Sequence, residues 1–101
     1  MILTVFRSRL RPGVQSQYAE VAAEMAALAE TMPGFRGRRA YFSEDGEKLT
    51  LVEFEDEESQ GNWAKNSEHH AAQRLGRERF YSEYSVQVCN VVRESSFRAP
   101  E

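Results

Sequence analysis

The sequence predicts a single α+β domain in the order β-α-β-β-α-β, and three observations carry that reading. A β-rich opening gives way to helical spacing after Gly13, an Asp-Gly pair separates two β-rich runs near the middle, and a second helical stretch precedes a valine-rich end. With 101 residues, 41% hydrophobic and 29% charged, the chain has room for one core and not two. Residues 1–94 read as the domain and 95–101 as a polar tail.

Ile2 to Leu10 is rich in β-branched and aromatic residues and reads as a strand ending before Arg11-Pro12-Gly13. From Val14, apolar residues including Tyr18, Val21, Met25, Leu28 and Met32 recur every three or four positions, which predicts an amphipathic helix stopping at Pro33-Gly34. Phe35 to Glu44 and Glu47 to Glu55 flank Asp45-Gly46, a dipeptide suited to positive φ, so they form a hairpin. Asp56 caps the next helix, which carries Trp63, and Ser67 caps a further helical piece carrying His69, His70 and Arg74. Gly76 marks a break before a last strand from about Tyr84 to Arg93.

This is the split arrangement of ferredoxin-like domains, a four-stranded antiparallel sheet with its helices on one face. Both faces of the sheet carry apolar residues: Leu49 and Leu51 alternate with Val52 and Phe54, and Val5 with Phe6. The helices cover one face, and the equivalent sheet of a second copy is the simplest cover for the other. The pattern therefore predicts a homodimer built around a shared barrel.

A net charge of −3 gives no footprint for nucleic acid, despite the Arg36, Arg38 and Arg39 cluster. Neither a leader-like start nor a membrane-length apolar run is seen, which predicts a cytoplasmic protein. Cys89, the one cysteine, sits in an apolar strand and is read as packing.

Met32-Pro33-Gly34-Phe35, the hairpin, Trp63, and His70 to Arg77 leading into Phe80-Tyr81 together resemble the antibiotic biosynthesis monooxygenase family over nearly the whole chain. The resemblance implies a dimeric α/β barrel with a pocket between sheet and helices in each subunit. One branch of that family oxygenates polycyclic phenols, quinols or anthrones without a cofactor, and another binds haem and breaks its ring. For the haem branch, an ungapped match puts Arg7 where an asparagine works and Gln73 where the axial histidine stands, and neither supplies an imidazole. For the cofactor-free branch it gives Ser59 and His69 in place of asparagine and tyrosine.

The leading expectation is thus a cofactor-independent monooxygenase acting on a small aromatic substrate, polyketide-like or a quinol. A haem-degrading oxygenase and a non-catalytic ligand-binding or stress-associated protein are the alternatives. Trp63 either stacks on an aromatic ligand or packs the core. His69 and His70 are candidate acid–base groups, but adjacent helical residues point about 100° apart, so at most one faces a pocket and the pair makes no metal site. Arg39 and Tyr41 share a strand face and, with Arg74, are candidates to hold a phenolate; the other reading makes the arginines solvated partners of nearby glutamates. Tyr81 and Tyr84 either close the pocket or clamp the dimer edge.

Overall fold

The computed structural model describes residues 1–100. Its elements are β1 (Ile2–Leu10), α1 (Gln15–Glu30), β2 (Phe35–Phe42), β3 (Lys48–Phe54), α2 (Glu57–Lys65), α3 (Ser67–Leu75), a π-helical turn (Gly76–Phe80) and β4 (Tyr81–Asn90). The strands form one antiparallel sheet in the order β2-β3-β1-β4. The ferredoxin-like arrangement is therefore present, with the second helical stretch divided at Asn66.

Strand register sorts the side chains. Ile2, Thr4, Phe6 and Ser8 stand opposite Phe54, Val52, Thr50 and Lys48, and paired residues share a face. The helices pack on this face. Phe54, Ala29 and Trp63 form the buried centre there, ringed by Met25, Leu28, Val52 and other partly buried apolar groups. Leu3, Val5, Leu49 and Leu51 occupy the opposite face, which the helices leave open, and all are half-buried.

Local chemistry explains three departures from the predicted boundaries. The hairpin loop is not a two-residue turn: Ser43 and Glu47 pair through a backbone bond of 2.9 Å, and Gly46 donates back to the Ser43 carbonyl at 3.0 Å. Gly46 takes φ +91°, the left-handed position such a three-residue loop requires, and Asp45 bonds the Ser43 hydroxyl. The α3 cap lies one residue earlier than Ser67. Asn66 stays extended, with ψ 130°, and its side chain accepts from the amides of Glu68 and His69. β4 begins and ends three residues before the predicted span, because Leu10 pairs with Tyr81 and Ile2 with Asn90, so the length of β1 sets both ends. Asp56 caps α2 as expected, accepting from the Ser59 amide at 2.8 Å.

Candidate active site

A cavity of about 290 Å³ lies between the sheet and the helices. Thr4, Phe6, Thr50 and Val52 form its floor, while α1 supplies an aliphatic wall through Val21, Ala22 and Met25. Arg38, Gln60, His69 and Gln73 bring polar groups to an otherwise apolar lining. The Thr4 hydroxyl, in that floor, is buried without a hydrogen-bond partner. Few polar groups converging in an apolar hollow is the usual character of a small-molecule site.

Trp63 and His69 form the most specific feature of the lining. Trp63 is 7% exposed and touches both the core and the cavity, so packing and ligand contact are combined in one residue. The His69 ring lies against the indole with centroids 4.0 Å apart and planes 13° from parallel. Its Nδ1 is 3.1 Å from the Trp63 backbone oxygen. A carbonyl only accepts, so Nδ1 carries the proton, and in neutral imidazole Nε2 is left as an unprotonated base. Burial lowers the His69 pKa below its ordinary 6.5; the carbonyl bond opposes that shift and His70 adds to it. His69 is accordingly neutral at pH 7 and able to accept a proton.

Aromatic side chains crowd another part of the cavity. Tyr18 meets Phe80 and Tyr81 edge-on, with centroids 5.9 and 5.7 Å apart, and Tyr84 lies 5.5 Å from Phe6. The π-helical turn presents Phe80 and leads into Tyr81, the first residue of β4, and two features hold it. Arg11 donates to the carbonyls of Arg77, Glu78 and Tyr81 at 2.8 to 2.9 Å. Gly76 lets the Tyr81 ring lie against the backbone, where a Cβ would stand 2.5 Å from Cε2. Single π turns recur at functional sites.

The structure divides the predicted site residues. Trp63, His69 and Tyr81 line the cavity. His70 and Arg74 do not; they lie with Lys65 and Glu78 along a shallow groove on the outer side of α3, as the 100° helical step from His69 requires. Arg39 and Tyr41 do share a face, with the guanidinium 5.8 Å from the ring centre, but it is the open face. Alternation along β2 turns Arg38 to the cavity in place of Arg39. Sequence reasoning missed Tyr18, Lys48, Gln60 and Arg38. Tyr18 carried one signal, a hydroxyl within the apolar stripe of α1, whereas its contact with Lys48 spans thirty residues and has no local mark.

Gln73 lines the cavity with an amide and supplies no imidazole; the imidazole there is that of His69. Among the described residues, no cluster of three or more His, Cys, Asp or Glu side chains is placed to hold a metal ion. No helix of the described residues is long and apolar enough to cross a membrane.

Fold and cavity together define a class, a small ferredoxin-like α+β domain with an aromatic-lined cavity between its sheet and helices. A family model described as antibiotic biosynthesis monooxygenase matches residues 1–75, and the chain belongs to that family. YqjZ, an uncharacterised protein of Bacillus subtilis strain 168, is 33% identical over 81 residues, covering 80% of this chain and 71% of YqjZ. Among solved structures, a putative antibiotic biosynthesis monooxygenase from Deinococcus radiodurans superposes with TM-score 0.86 at 6% identity, covering 98% of this chain and all 100% of that one. SnoaB from Streptomyces nogalater, described as a cofactor-independent oxygenase, superposes with TM-score 0.79 at 14% identity over 92% of this chain and 94% of its own. At such identities the structural likeness speaks for the fold.

Proposed function

We propose that the protein is a cofactor-independent monooxygenase of a phenolic, quinol or anthrone substrate, with His69 as general base and Trp63 holding the imidazole in place at the cavity wall. The observation that carries this reading is the Trp63–His69 pair, which puts a neutral, tautomer-fixed imidazole on the wall of an aromatic-lined cavity. For an anthrone, Nε2 of His69 takes the proton from the acidic ring carbon, and the electron-rich anion passes one electron to dioxygen. The two radicals join in a C–O–O bond. Collapse of that peroxide leaves one oxygen as the new carbonyl and the other as water, so anthrone and O₂ give anthraquinone and H₂O. The low-polarity lining limits water around the anion.

The test is oxygen uptake by metal-free protein over a panel of anthrones, naphthols and quinols. Uptake above the uncatalysed rate, reduced at least tenfold in His69→Ala and in Trp63→Phe but unchanged in His70→Ala, is the expected result. Absence of uptake with every compound would reject the oxygenase in favour of a binding protein that keeps the fold.

The half-buried Leu3, Val5, Leu49 and Leu51 on the open sheet face support a homodimer, in which a second sheet covers them. Light scattering at micromolar concentration should give twice the chain mass; a monomer mass would end that part of the reading. The cytoplasm is the proposed setting, where the lone Cys89 stays reduced.

A further inference from the structure

Tyr18 and Tyr81, backed by the Lys48 ammonium, form a second polar anchor in the cavity, and we infer that it binds the anionic oxygen of an elongated aromatic ligand away from the Trp63–His69 pair. The inference rests on the ligand class proposed above. Three of the four tyrosines of the chain line this one cavity, whereas the fourth, Tyr41, stands on the open face. Lys48 projects from the helix-facing side of β3, opposite Ser8, and its Nζ donates to the Tyr18 hydroxyl at 3.0 Å. The same ammonium lies 4.9 Å from the centre of the Tyr18 ring. A phenol oxygen that accepts from a cation still keeps its own proton, and that proton becomes a stronger donor.

Tyr81 supplies the second hydroxyl. Burial first, and then the neighbouring Tyr18 phenol, push its ionisation far up, so it remains a neutral donor and does not repel an anion. Both rings are braced before any ligand arrives. They meet each other at 71°, Tyr18 also rests on Phe80, and Arg11 and Gly76 fix the turn that leads into Tyr81. Donors held in place in a low-polarity site stabilise negative charge better than mobile ones do.

Position determines what the anchor would hold. Tyr18 stands in the first turn of α1 and Ala29, which packs on Trp63, in its last, so the two ends lie roughly 16 Å apart along the helix at about 1.5 Å per residue. The tyrosines and the Trp63–His69 pair line one cavity, which suits a ligand of fused rings with its reactive carbon at His69 and an ionisable hydroxyl at the tyrosines.

The experiment uses two inert probes of one shape, 2-hydroxyanthraquinone and 2-methylanthraquinone, and reads binding by quenching of Trp63, the one tryptophan of the chain. The wild-type protein should prefer the hydroxyl probe, and Tyr18→Phe should weaken that probe about tenfold while leaving the methyl probe unchanged. Lys48→Met should act in the same direction. Equal binding of the two probes by the wild type, no quenching by either, or equal weakening of both in Tyr18→Phe would overturn the anchor. Oxygen uptake separates this result from the reading it rests on. Hydroxyl preference without uptake keeps the anchor and rejects the oxygenase; uptake with no hydroxyl preference does the reverse.

Discussion

The imidazole of His69 lies flat on the indole of Trp63, 4.0 Å between centroids, and hydrogen-bonds the carbonyl of that same residue at 3.1 Å. One tryptophan thus sets both the plane and the tautomer of the histidine. The two residues come from different helices, and the break at Asn66 makes the meeting possible: a helix running straight on from α2 would carry His69 along its axis, away from Trp63.

His69 should leave a signature in the pH dependence of stability. Its folded pKa lies below the ordinary 6.5, with burial as the main cause, so below pH 6.5 the unfolded chain binds a proton that the folded chain resists. Stability is then full above pH 6.5 and declines as pH falls towards the lowered folded value. Urea midpoints measured between pH 5 and pH 8 should show a steeper acid decline for the wild type than for His69→Gln. Parallel curves for the two proteins would contradict the burial of a neutral imidazole.

The cap at Asn66 ties backbone chemistry to the site. Its side-chain oxygen accepts from the amides of Glu68 and His69, at 2.9 and 3.1 Å. Asn66→Ala should cost about 1 kcal/mol, whereas Asn66→Asp, which can still accept, should cost far less. Thermal unfolding checks this, with a drop of roughly 4–8 °C expected for the alanine variant of a domain this size. An unchanged midpoint would mean that water serves those amides equally well.

Gly76 is needed for the space it leaves. Its backbone, with φ −58° and ψ −48°, suits any residue, but an added Cβ would fall 2.5 and 2.9 Å from two carbons of the Tyr81 ring. Gly76→Ala should therefore displace that ring and cost about 1–3 kcal/mol, as overpacking does. In a Tyr81→Ala background the same substitution should cost close to nothing, since the clash has gone. A double-mutant cycle with no coupling would place the cost elsewhere.

Much of the fold was legible because local chemistry wrote it. The stripe of α1 from Tyr18 to Met32, the turn residues at Pro33-Gly34 and Asp45-Gly46, and the Asp56 cap act over a few positions each, and each predicted element is present. Boundaries set by distant partners were less legible. β4 starts at Tyr81 because Leu10 stands opposite, and no residue near Tyr81 carries that information.

The sequence by itself determined the order of elements, the alternation that gives the sheet two apolar faces, and the candidates Trp63 and His69. Tertiary structure alone decided which candidates meet. It chose His69 over His70 and Arg38 over Arg39, and it brought Lys48 to Tyr18 across thirty residues. The reason is geometric: helical and strand periods fix side-chain directions relative to neighbours, but which direction faces the cavity depends on how the elements pack.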